Sequence, residues 1–162
     1  GGFVSGAHYN PAVTIAVLLR KKIALIPAII YIGAQLLGGI VALVVAAYLV
    51  GDFAGVIPAS VDPYRAFVAE LIFTFALVSV ILHTAASKQV DGNSYFGLAI
   101  GFTVMAWAFA VGPISGGAFN PAVTLSAMLT WADNMNLIGI YVGAQVVAGL
   151  LAALMHGVTT GK

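Results

Sequence analysis

The sequence predicts an all-α membrane protein, an inverted-repeat bundle of spanning helices with two re-entrant half-helices. Three observations carry that prediction. Asn10-Pro11-Ala12-Val13-Thr14 recurs as Asn120-Pro121-Ala122-Val123-Thr124. At the same offset of 110 residues, Tyr31-Ile32-Gly33-Ala34-Gln35 is answered by Tyr141-Val142-Gly143-Ala144-Gln145, and Ser5-Gly6 by Ser115-Gly116. Blocks repeated in one register without a gap mark an internal duplication. The second observation is composition: 62% of residues are hydrophobic and 7% charged, with a mean hydropathy of +1.09. Soluble domains carry about 25% charged residues, so the solvent is a bilayer. The third is that the apolar runs come in two lengths, some long enough to cross a membrane and two that are not.

The elements follow in chain order within a single domain, residues 1–162. The run 11–19 is too short to span: at ~1.5 Å per residue it covers ~14 Å, about half of a ~30 Å hydrocarbon core. Asn10 stands where an N-cap belongs and Pro11 at the first helical position, so the run reads as a re-entrant half-helix. Spans are predicted at about 24–50, 64–86 and 95–112, the last stopping at Gly112-Pro113. Asn120-Pro121 opens a second half-helix, 121–131, and a final span covers about 136–157. Charge tests this arrangement. If the first half-helix returns to the side of Arg20, Lys21 and Lys22, the first span crosses to Asp52 and Asp62 and the second returns to Lys88. The third crosses again, the second half-helix goes in and out past Asp133, and the last span brings Lys162 back. Five of the six Lys and Arg then share one face, with Arg65 the exception. By the positive-inside rule that face, and the C-terminus, is cytoplasmic. The half-helices enter from opposite faces, which makes the repeats inverted.

A half-helix ending inside the bilayer exposes unpaired N–H groups, tolerable only against protein or a water-filled cavity. Two such ends meeting at mid-membrane set Asn10 opposite Asn120, each amide able to donate to an oxygen in a lumen. The two helix dipoles add about half an elementary charge each. That centre suits a neutral molecule with an acceptor and disfavours cations, hydronium included. Capping alone accounts for one Asn, but not for two identical ends in opposed repeats. A net charge of +1 gives no reason to expect a nucleic-acid partner, and the absence of cysteine removes thiolate chemistry. Three scattered histidines and one intramembrane carboxylate assemble no nucleophile–base pair and no metal cluster. No enzyme, cofactor or metal is expected.

Ser5 to Thr14 and Ser115 to Ala122 resemble the two signature loops of the aquaporin, or major intrinsic protein, family. The likeness extends through Tyr31 to Gly39 and Ala69-Glu70 to Thr74. The resemblance implies six spanning helices, two half-helices carrying the pore motifs Asn10-Pro11-Ala12 and Asn120-Pro121-Ala122, and homotetramers with one pore per subunit. It implies a passive channel for water in the lipid bilayer. Most members place Arg after the second Asn-Pro-Ala; here that position is Val123, and the other filter positions in this chain are Ala108 and Gly117. Some plant vacuolar-membrane members share the Val, and that branch is associated with small neutral solutes such as urea, hydrogen peroxide and ammonia. A glycerol facilitator of the same family is a weaker alternative, since Thr124 stands where those members carry Asp. A secondary transporter built on inverted repeats is another, with Glu70 its sole intramembrane carboxylate.

The family likeness also gives Glu70 a supporting role, accepting hydrogen bonds from a signature loop, and His8 a structural bond. His83 and His156 read as interfacial, Gln35 and Gln145 as bonds between helices, and Gly33, Gly38, Gly39, Gly143 and Gly149 as close helix contacts. Finally, the spans starting near 64 and 95 would have repeat partners ahead of Gly1. Two more spanning helices and one filter residue are therefore expected there, largely absent from this chain.

Overall fold

The computed structural model describes residues 1–51, 60–130 and 132–161; Asp52, Trp131 and Lys162 lie outside them. The described residues fold as helices without a strand. In order these are α1 (Gly2–Ser5), α2 (Pro11–Leu19), α3 (Leu25–Val50), α4 (Pro63–Ala85), α5 (Phe96–Ser115), α6 (Pro121–Thr130) and α7 (Ile138–Thr159), with short 3₁₀ turns at Lys88–Val90 and Ala132–Leu137. Helices α3, α4 and α5 and the segment Met135–Thr159 are long and apolar enough to cross a membrane.

Local chemistry sets the helix ends. Asn10 caps α2 through its side chain, which accepts from the Ala12 N–H, and Pro11 follows where a missing N–H costs nothing. Asp62-Pro63 does the same for α4, with the carboxylate accepting from Tyr64 and Arg65 N–H at 2.9 and 3.0 Å. Before α5, Asn93 accepts from the N–H groups of Tyr95 and Phe96 and donates to the Thr84 and Val90 carbonyls. One amide thereby ties the end of α4 to the start of α5. Contrary to the sequence reading, α5 does not stop at Gly112-Pro113: it runs on to Ser115 with Pro113 inside it. A proline this close to a C-terminus forfeits one intrahelical bond, and the helix ends three residues later at Gly116, left-handed with φ 82°.

Helix α4 organises the interior. It meets α2 and α7 through Val13, Ala16 and Val17 against Val78, Leu82, Ala152 and Ala153. It meets α6 and Tyr141 through Ala66 beside Met128, and α5 and the second Asn loop through Ala69, Leu77, Val111 and Phe119. Helices α3 and α5 lie at the margin, with Ala28 the buried residue of the first and Val111 and Ser115 those of the second.

The half-helices pack reciprocally. A Cβ on Gly149 of α7 would lie 2.7 Å from the Ala12 carbonyl oxygen, and one on Gly39 of α3 would lie 2.9 Å from that of Ala122. Each half-helix therefore rests on the long helix of the other repeat, at a glycine that lets backbone touch side. Gly33, Gly38 and Gly143, also read as close contacts, have nothing among the described residues within 4 Å of such a Cβ. Their faces of α3 and α7 are open here.

Candidate functional site: the paired asparagine loops

The loop ahead of each half-helix bends through left-handed residues at matching positions. Gly6 and Gly116 have φ 80° and 82°, Ala7 and Gly117 49° and 64°, Tyr9 and Phe119 51° and 48°. A bulky residue held at positive φ costs about 1–3 kcal/mol and persists where its surroundings over-determine it. The bend turns the carbonyl of the residue before each Asn toward the opposite repeat. Asn10 Nδ2 donates to the Phe119 carbonyl at 2.8 Å, and Asn120 Nδ2 donates to the Tyr9 carbonyl at 2.9 Å. Each Asn Oδ1 accepts from the N–H two residues on, at 2.9 Å in both loops. An Asn amide carries two N–H donors and one acceptor oxygen. Once cap and cross-link are made, one N–H of each Asn has no partner among the described residues.

Two devices hold the loops. The second is pinned by Glu70, fully buried in α4. Its Oε1 accepts from Ser115 Oγ at 2.8 Å and the Ala118 N–H at 3.0 Å; its Oε2 accepts from the Phe119 N–H at 2.7 Å and Gln145 Nε2 at 2.8 Å. Desolvation of the carboxylate is offset by four donors, two from the loop itself and one from Ser115 at the end of α5 that leads into it. The first loop is held by His8, which occupies the position of Ala118 in the repeat. Its N–H donates to Tyr31 Oη at 3.3 Å and its Nδ1 meets Thr14 Oγ1 at 3.1 Å. The two tyrosines act alike, Tyr31 Oη donating to the Ser5 carbonyl at 2.9 Å and Tyr141 Oη to that of Ser115 at 2.7 Å. The glutamines bridge helices, Gln35 Nε2 to Thr14 Oγ1 at 2.9 Å and Gln145 Nε2 to Thr124 Oγ1 at 2.8 Å.

Pro11, Ala12, Pro121 and Ala122 are buried, and the alanines fill the glycine contacts on α7 and α3. Ala108 and Gly117 abut: a Cβ on Gly117 would fall 3.3 Å from the Ala108 Cα. Val123, 43% exposed, lines a mostly apolar groove of about 550 Å³ together with Tyr9, Gln35, Gly39 and Asn120. The carbonyls of Tyr9 and Phe119 are site groups beyond those expected from the sequence. Their signal was present as an aromatic residue before each Asn at the same repeat position. His156, expected near the interfacial end of its span, is in addition buried, 3% exposed, with Arg20 Nε at 3.0 Å and Ser87 Oγ at 2.7 Å from its ring nitrogens. His83 is half-buried beside it, the ring centroids 4.9 Å apart.

Residues 1–156 match the major intrinsic protein family. The chain is 38% identical to aquaporin NIP3-1 of Arabidopsis thaliana over 96% of its own length and 51% of the relative's. It is 35% identical to nodulin-26 of Glycine max, covering 97% and 58%. With aquaporin TIP2-3 of Arabidopsis thaliana it shares 36% identity, covering 95% and 63%. The chain thus spans about half to two-thirds of the length of these relatives. With four helices among the described residues fit to cross a bilayer, it is an integral, multi-pass membrane protein. Duplicated loops, a family match over residues 1–156 and this set of relatives agree: the chain belongs to the major intrinsic protein family.

Proposed function

We propose that the protein contributes the central pore machinery of a passive transmembrane channel for water, with urea, hydrogen peroxide and ammonia as the class of small neutral solutes it also passes. The observation that carries this reading is the crossed pair of asparagine bonds. They hold the N-terminal ends of α2 and α6 against each other and leave one amide N–H on each Asn to meet a solute oxygen. Both helix ends bring partial positive charge to that point, so a neutral acceptor is accommodated and a cation repelled. In this reading α2 and α6 enter the bilayer from opposite faces, the C-terminus is cytoplasmic, and the chain works as a homotetramer.

Ala108, Gly117 and Val123 form this chain's share of the filter. None offers a charge or a side-chain donor, so selection there rests on size. Asn10 and Asn120 contact solute; Glu70 and His8 position the loops that carry them. The test is stopped-flow shrinkage of proteoliposomes holding the full-length protein, with water, urea and glycerol as permeants. Water flux that is independent of any imposed ion gradient is expected, with urea passing more readily than glycerol. Flux that requires an ion gradient would replace the channel with a coupled transporter.

A further inference from the structure

At the end of the bundle where α2, α4 and α7 terminate, Arg20, Lys22, Lys88, Ser87 and His156 surround a pocket of about 240 Å³, with Lys21 also on its wall. Four cations in one place could simply be capping helix C-termini, where positive charge is favourable. The hydrogen bonds argue otherwise, because other groups serve several of those carbonyls and, among the described residues, no ammonium group bonds to one. In α2, the backbone N–H groups of Arg20, Lys21 and Lys22 take the carbonyls of Ala16, Leu18 and Val17. In α4, Ser87 Oγ donates to the Leu82 carbonyl and Asn93 Nδ2 to that of Thr84. In α7, the N–H and hydroxyl of Thr160 both donate to the His156 carbonyl. Among the described residues the ammonium groups of Lys21, Lys22 and Lys88 have no hydrogen-bond partner, and no carboxylate lies within 4.0 Å of any of the four cations, the ion pair found being Arg65 with Asp62. Asp91 adjoins Lys22 and Lys88 on a neighbouring depression without pairing with either.

The buried side of the pocket is a directed chain of bonds. Ser87 Oγ gives its proton to the Leu82 carbonyl at 2.9 Å, so at 2.7 Å it accepts from His156 Nε2–H. That leaves His156 Nδ1 to accept from Arg20 Nε–H at 3.0 Å. Arg20 is thus anchored by its inner nitrogen, and its two terminal nitrogens have no partner among the described residues. A guanidinium fixed in this way presents a planar fork suited to phosphate oxygens.

We propose that this pocket binds a phosphate group, with Arg20 as the oriented donor and Lys22 and Lys88 as flanking charges. The phosphate is either the headgroup of an anionic phospholipid or a free anion. Helices long enough to cross the bilayer end at the pocket, which sets it at headgroup depth, and basic pockets between spanning helices recognise acidic headgroups. The proposal is independent of what the channel conducts, and its test does not read permeation.

Full-length protein in detergent is titrated with dioctanoyl phosphatidylglycerol, dioctanoyl phosphatidylcholine or sodium phosphate against sodium chloride of equal ionic strength, and bound ligand is counted by native mass spectrometry. Phosphatidylglycerol is expected to bind at least fivefold more tightly than phosphatidylcholine. Lys22→Gln with Lys88→Gln, both exposed, should weaken it about 25-fold, roughly fivefold for each charge removed near a surface, whereas Arg65→Gln should leave it unchanged. Arg20→Gln should weaken it further; the lysine pair keeps the test decisive if that variant misfolds. Binding of the lipid without inorganic phosphate identifies a headgroup site, and binding of phosphate that displaces the lipid identifies a site for the free anion. Equal binding of the two lipids together with no phosphate binding overturns the proposal. So does retention of the bound anion in the lysine double variant, or an equal loss with Arg65→Gln.

Discussion

A carboxylate with no exposure in a spanning helix is costly unless donors surround it, and Glu70 meets four. Glu70→Gln would turn an NH₂ group toward N–H donors now bonded to oxygen. Two orphaned donors at about 1–3 kcal/mol each predict a loss of roughly 2–6 kcal/mol, measured by denaturant unfolding in detergent, with water permeability per folded subunit falling as the second Asn loop loosens. At the asparagines, Asp in place of Asn10 or Asn120 sets an oxygen where an N–H met a carbonyl at 2.8 or 2.9 Å. It also puts negative charge between two positive helix ends. Proton or sodium conductance should rise in both variants, read as ion flux normalised to folded protein; unchanged conductance would remove the central electrostatic barrier. Val123 presents an apolar side chain to its groove, whereas Arg there would add five donors and a permanent charge. Val123→Arg is expected to lower urea permeability far more than water permeability. The check is their ratio at matched protein density, and an unchanged ratio would place the control of selectivity elsewhere.

Five glycines of α3 and α7 look alike in the sequence, yet two of them carry the packing of the half-helices. Gly149→Ala pushes a methyl group to 2.7 Å from backbone oxygen of α2, an overpacking that typically costs about 1–3 kcal/mol. Gly143→Ala, with nothing within 4 Å, should be neutral or stabilising by up to about 1 kcal/mol from helix propensity alone. Paired thermal unfolding of the two variants measures the difference, and equal effects would show that the contact under α2 is not what Gly149 serves. The helix starts at Asn10-Pro11 and Asp62-Pro63 were legible because a cap and a proline act locally. The end of α5 was not: Pro113 forbids one bond, but left-handed Gly116 decides where the helix stops. A glycine's role was equally hidden, since the facing helix end comes from a segment about a hundred residues away.

At the scale of the molecule, the all-helical bundle and the meeting of Asn10 with Asn120 could be anticipated, since duplication and hydropathy are properties of whole segments. Burial of His156 could not. Its partners Arg20 and Ser87 lie 136 and 69 residues away, and nothing within α7 distinguishes a buried polar residue near its end from an exposed one. The reciprocal seating of α2 on α7 and of α6 on α3 has a further consequence, in time. Asn10 cannot find the Phe119 carbonyl until the ribosome has added another 109 residues, a wait of about 5–20 s at ordinary elongation rates of 5–20 residues per second. Throughout it, α2 has no glycine floor on α7, and the Asn10 amide lacks its acceptor. Nascent chains arrested before α7 emerges should therefore leave a cysteine placed at Val13 open to a membrane-permeant, water-requiring thiol label, and chains released after it should protect that position. Early protection would mean that the first half closes alone. The exchange of half-helices makes the order of synthesis part of the fold, with the earlier-made half of the centre held in suspense until α7 arrives.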